Sequence, residues 1–226
     1  MTGSPDDGPV TTSTRTEWLI PTGLITLSAV PVLVGALRVG QLAGVPVGID
    51  ANPTFAAFPV PVIVHIVGAT VYCLLGALQF APGFRRRRPG WHRAAGRLLI
   101  PFGLAAALAG IWMTVFQSPN GPLQAGFRLG FGTAMVVAIL LGLAAVRRRD
   151  IVAHRAWMTR GYAIGLGAGT QFVLLATWSL AVGSPDELTE TLLLAAGWMV
   201  NLAVAEWSVR RSLGARRPVP APTLGR

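Results

Sequence analysis

The 226-residue chain has no lysine, one cysteine, three histidines and two tyrosines. A lone cysteine, Cys73, excludes an internal disulfide framework and a thiolate metal site, and it reads as a small buried apolar residue. Charged residues make up only 12%, about half the share of an ordinary soluble domain. No glycine-rich phosphate loop with a lysine, no nucleophile elbow and no paired carboxylates within an apolar segment can be found. These absences exclude the common nucleotide-binding and hydrolase sites. Short alternating segments are missing as well, which excludes a β-barrel.

Long apolar runs are what the chain does have. Apolar residues fill 52% of positions and gather into stretches of roughly twenty, the length that crosses a bilayer as a helix. Six spans are expected: Leu19–Leu42, Val60–Phe80, Leu98–Phe116, Phe127–Val146, Trp157–Val182 and Thr191–Val209. The fifth is the longest and leaves room for an interfacial start around His154. A helix in lipid satisfies its own backbone, so the expected fold is an all-α polytopic transmembrane bundle. Its central four-helix core would come from two helical hairpins. The first span is too long and too poorly flanked for a cleavable signal peptide. Residues 1–17 and 212–226, rich in Pro, Gly, Ser, Thr and Arg, read as disordered cytoplasmic tails around a transmembrane domain at 18–211.

The net charge of +10 is a topology signal. Every basic residue is arginine, the usage of a GC-rich bacterial genome, which points to a bacterial plasma membrane. Arg15, the arginines between spans two and three, those between spans four and five and those after span six all lie on one side. Only Arg38 and Arg128 fall on the other, where Asp50, Asp186, Glu187 and Glu190 also lie. The positive-inside rule therefore predicts six spans with both termini in the cytoplasm. The surplus charge would meet anionic lipid headgroups. No aromatic-rich basic platform accompanies it, so nucleic acid is not an expected partner.

Two segments nearly repeat. Arg85–Arg88 precede Trp91-His92-Arg93-Ala94 and Arg97, and Arg147–Arg149 precede Ala153-His154-Arg155-Ala156 and Arg160. Aligning the histidines superposes spans two and three on spans four and five as a parallel repeat. Both histidines then stand at the cytoplasmic ends of outgoing helices. Gly96, Leu99, Gly103, Ala106 and Gly110 follow His92 on one helical face; Gly161, Gly165 and Ala168 follow His154. Such small residues either let backbones approach closely or leave room for a flat cofactor. His65, Tyr72 and Gln79, seven apart in span two, make a polar stripe, which with Gln171 would form either interhelical hydrogen bonds or a polar pocket. In span six, Asn201 and Glu206 are polar. Glu206 is the only carboxylate within a span; it is expected to join the polar pocket and pair with Arg97 or Arg160, or else to snorkel out to water.

Three histidines at two depths make a poor zinc site. Haem b, which can take one axial histidine from each of two helices, is the remaining cofactor to consider, with His92 and His154 as ligands. Arg93, Arg97, Arg155 and Arg160 would hold its propionates by charge-assisted bonds. The expected function is then a redox membrane protein. The alternatives are a cofactor-free binding or transport protein, whose His/Arg cluster takes a small anion or lipid headgroup, and a membrane scaffold subunit.

Three ordered motifs carry a resemblance: His65 with Gly76-Ala77-Leu78-Gln79-Phe80, then His92-Arg93-Ala94-Ala95-Gly96-Arg97, then His154-Arg155-Ala156-Trp157-Met158-Thr159-Arg160-Gly161-Tyr162-Ala163. Together they are similar to a group of bacterial membrane proteins catalogued as domain of unknown function 2306. The resemblance covers spans two to five and implies a membrane location without an activity. Many members carry an arginine in the span after the last motif, where this chain has Gln171 as its nearest polar residue. A looser likeness is to the six-helix transmembrane cytochromes b that use ascorbate. That likeness implies haem ligands pairing span three with span five, met here by His92 and His154. It also implies a pair from spans two and four, where this chain has His65 and, as the nearest counterpart, Arg128.

Overall fold

A computed structural model describes residues 14–48, 52–117 and 121–214. Tails at 1–13 and 215–226, and Asp50, lie outside the described residues. The described residues form helices and no strands. The helices are α1 (Thr14–Leu42), α2 (Pro53–Ala57), α3 (Val60–Leu78), α4 (Pro82–Arg87), α5 (Pro89–Phe116), α6 (Pro122–Arg147), α7 (Ile151–Gly165), α8 (Gly167–Ala181) and α9 (Glu187–Gly214). Five of them, α1, α3, α5, α6 and α9, are long and apolar enough to cross a membrane, and α7 with α8 pass the same test as a bent pair.

Helix starts follow the local chemistry. Proline opens α5 and α6, where its missing N–H costs nothing and its fixed φ suits the first turn. The turn between α6 and α7 is tighter. Arg149 takes a left-handed φ of 63°, and the Asp150 N–H reaches back to the Ala145 carbonyl at 2.9 Å, closing off the end of α6. The Asp150 carboxylate then accepts from the Ala153 N–H at 2.9 Å and so caps α7. One residue thus ends one helix and starts the next, and this fixes where His154 emerges. α5 begins nine residues before the expected span, so His92 lies inside the helix. Each histidine is the fourth residue of its helix, counting from Pro89 or Ile151.

Around the bundle, α3 packs on α5, α5 on α6, α6 on α7 and α7 on α3. Outside these, α1 lies against α3 and α8, and α9 lies against α7 and α8. The buried cluster joins Tyr72 and Ala77 of α3, Leu99 and Ala107 of α5, Met135 and Ile139 of α6, and Tyr162 and Ile164 of α7. Many buried positions are Ala or Gly, whereas Leu33, Leu108, Val204 and Leu180 are exposed. That arrangement inverts the pattern of a water-soluble bundle and suits helices solvated by lipid.

The fifth expected span, continuous over 157–182, is instead two helices. The chain bends by 42° between α7 and α8 at Leu166. Gly165 and Gly167 flank the bend, and the last-turn carbonyl of Ala163 accepts a hydrogen bond from Asn201 Nδ2 of α9 at 3.1 Å. Asn201 Oδ1 accepts in turn from the Thr170 hydroxyl at 2.7 Å. A polar side chain thus satisfies backbone that the break has released, which is how such a break is tolerated away from water.

Candidate functional site

Tyr72 divides the interior of the bundle into two chambers. Its ring is wedged between α5 and α7: a Cβ added at Gly103 would come within 2.6 Å of it, and one at Gly165 within 2.9 Å. Glycines on the faces that follow His92 and His154 are therefore filled by a tyrosine at these two positions. Gly76 likewise receives the Tyr162 ring, whose hydroxyl donates to the Cys73 carbonyl at 2.7 Å. Gly96 differs, since a Cβ there would meet no atom within 4 Å.

On the side of the arginine runs lies a cavity of about 380 Å³, lined by residues of α3, α5, α6 and α7. His92, His154, Gln79, Arg93, Arg97 and Gly96 all face it, among apolar walls that include Leu99, Ile139 and Met158. The two histidines anticipated from the repeat thus share one chamber.

Their bonding differs. His154 Nδ1 lies 2.8 Å from the Gly142 carbonyl. A carbonyl only accepts, so Nδ1 carries the proton, and in the neutral ring Nε2 keeps its lone pair. That is how a backbone oxygen orients a metal-binding imidazole. His92 Nδ1, by contrast, is buried without a partner, as are both amide atoms of Gln79.

The arginines divide. Arg93 and Arg97 line the chamber, whereas Arg155 and Arg160 do not. Arg160 is drawn to α9, donating through Nε and Nη2 to Glu206 Oε2 at 3.1 and 2.7 Å, with its guanidinium 4.9 Å from the Trp157 ring centre. Glu206 Oε1 accepts from Arg210 Nε at 2.8 Å. Of the two partners expected for Glu206, Arg160 takes the place, and Glu206 lines neither chamber. At the rim, burial together with the nearby Arg155 and Arg86 cations holds the Arg85 guanidinium below its ordinary value. Positive charge is crowded at this end.

The other chamber is larger, about 530 Å³. His65, Gln171, Gln117 and Arg128 line it together with Trp198, Met113 and Met135. The expected stripe of His65, Tyr72 and Gln79 is consequently split: His65 belongs to the larger chamber, Gln79 to the smaller, and Tyr72 to both. Gln171 Nε2 donates to the Leu194 carbonyl at 2.8 Å. Gln117 and Trp198 were not among the expected site residues. The first sits where α5 ends and the second in an apolar run, so only the rotation of each helix reveals them.

Among the described residues no three His, Cys, Asp or Glu side chains converge as a metal-ion site. A porphyrin supplies four of its iron's ligands, so for haem two axial imidazoles are enough.

The family model described as predicted membrane protein (DUF2306) matches residues 62–209, more than half of the chain. The chain belongs to this family. The matched stretch begins early in α3 and ends near the close of α9, so in this DUF2306 member it takes in the whole lining of the smaller chamber and that of the larger one apart from Asn52 and Phe55. No curated protein and no solved structure matches the chain.

Proposed function

We propose that this membrane protein binds one b-type haem in the smaller chamber and carries electrons across or along a bacterial plasma membrane. His154 and His92 would be the axial ligands, and Arg93 and Arg97 would hold the propionates. The observation that carries this reading is the pair of histidines from α5 and α7 lining one apolar chamber, with His154 Nδ1 tied to the Gly142 carbonyl and Nε2 left for iron. Three unpartnered buried atoms, on His92 and Gln79, support a polar or metal-bearing occupant. A volume of about 380 Å³ falls in the range of small-molecule sites. The open wall at Gly96 gives a flat ring room. Bound haem would supply one-electron redox chemistry. The chain's own part is to orient two imidazoles, exclude water and balance the carboxylates.

In this reading α7 and α8 form one broken span, so six spans run around a four-helix core of α3, α5, α6 and the α7–α8 pair. Both termini and the arginine end face the cytoplasm.

The crowding of Arg85, Arg86 and Arg155 at the rim favours a second reading, an anionic headgroup or small anion in place of haem. Absorbance decides between them. Protein purified from haem-replete cells should give Soret and α-bands in reduced-minus-oxidised spectra, and both should vanish in His92→Ala and in His154→Ala. A folded wild-type preparation without either band would sink the haem reading and leave the anion.

A further inference from the structure

The larger chamber has a chemistry of its own, and it is set by acceptors. His65 Nδ1 lies 2.8 Å from the Ala106 carbonyl. As at His154, the carbonyl forces the proton onto Nδ1, so the neutral ring keeps Nε2 as an acceptor for the chamber it lines. Gln117 is 7% exposed, and its Nε2 donates to the Thr54 and Phe58 carbonyls at 3.2 and 2.9 Å. Both of its donors are therefore spent on fastening α2 over the chamber mouth, and its Oε1 is left buried without a partner. The Thr114 hydroxyl donates to the Gly110 carbonyl at 2.8 Å, so what remains of it is again a lone pair.

A wall rich in unused acceptors wants a ligand that brings hydrogen-bond donors. The remaining lining says what should carry them. Trp198, Phe55, Met113, Met135, Ile111 and Leu194 surround the polar patch. Aromatic rings and thioether sulfurs pack favourably on a flat ring. Arg128 also lines the chamber but is already engaged by a partner, so it does not by itself call for an anion and a neutral ligand can be taken.

We propose that the larger chamber is a binding site for a small neutral aromatic ring bearing hydroxyl groups, of the phenol or hydroquinone class. One hydroxyl donates to His65 Nε2, and another to Gln117 Oε1. A phenolic oxygen can also accept, so donors in the chamber do not conflict with this assignment. The site goes beyond the haem reading and does not depend on it, because Tyr72 separates the two chambers.

The test compares two probes of nearly the same shape on the full-length wild-type protein in detergent. One is an alkyl-substituted hydroquinone and the other its dimethyl ether, which has lost both donors. Calorimetric titration should give saturable hydroquinone binding, with the ether about tenfold weaker or more, since two buried acceptors are then left unpaired. His65→Leu and Gln117→Leu, checked for wild-type melting, should each weaken the hydroquinone several-fold and bring its affinity toward that of the ether. Equal affinity of the two probes for the wild type would overturn the assignment without any variant. So would undiminished hydroquinone binding in both variants. Haem bands recorded on the same preparations report separately on the smaller chamber.

Discussion

Gln79 has a buried amide with no partner for either its oxygen or its nitrogen. In an apolar wall such a group costs about 1–3 kcal/mol, and replacing it by a side chain of similar volume without polar atoms recovers much of that. Gln79→Leu should therefore raise the melting temperature of protein prepared without haem, while lowering the fraction of haem retained after purification from replete cells. The opposite signs separate a residue kept for an occupant from one kept for the fold. A lower melting temperature in haem-free Gln79→Leu would mean that the amide has a structural partner after all. Gln79 was legible in the sequence as a polar residue in a span. What it faces was not, because seven-residue spacing puts it on one side with His65 and Tyr72, and only the position of the Tyr72 ring assigns Gln79 and His65 to different chambers. The His92 and His154 pairing was more accessible to reading. Both histidines stand near the start of a helix after an arginine turn, so the repeat puts them at one end of the bundle, and the packing of α5 on α6 and of α7 on α3 then brings them to one chamber.

At the scale of elements, the break between α7 and α8 depends on a third helix. Asn201 of α9 holds the Ala163 carbonyl and the Thr170 hydroxyl, one on each side of Leu166. Asn201→Leu leaves both without that partner and should destabilise the fold by about 1–3 kcal/mol, read as a lower midpoint of unfolding in detergent. Asn201→Asp keeps an acceptor for Thr170 but cannot donate to Ala163, so it should recover at most part of the loss. A leucine variant as stable as wild type would mean that the bend does not need the staple. From sequence the segment reads as one long span, because hydropathy registers apolar content and not direction. Gly165 and Gly167 permit a bend, yet glycines are also common in straight membrane helices, so nothing local decides the point. The deciding group is on another helix. The same holds for Arg160, whose neighbours in sequence suggest the histidine chamber but whose guanidinium is held by Glu206 on α9.

Over the whole molecule the two chambers lie end to end along one bundle, with Tyr72 between them and the arginine turns at one end only. That polarity makes orientation a functional matter, since it decides which compartment each chamber meets. The free cysteine supplies a clean way to measure it. Cys73 is the only cysteine in the chain, and its buried thiol reaches the Gly165 carbonyl at 3.4 Å, a weak contact that Cys73→Ala can lose cheaply. On that cysteine-free background, single cysteines go into the α6–α7 turn at Arg148 and at the start of α9 at Leu188, both exposed. A membrane-impermeant maleimide added to intact cells should label Leu188→Cys and leave Arg148→Cys untouched until the membrane is opened. The reverse pattern would turn the molecule over and put the histidine-pair chamber beside the outer face. Labelling of both sites in intact cells would mean that the α7–α8 pair turns back without crossing, because that pair is the one crossing between them. That last outcome would reach further than orientation. A re-entrant α7–α8 would bring the wall of the larger chamber back to the leaflet that holds His154, and the end-to-end arrangement of the two chambers would then have to lie within one half of the bilayer.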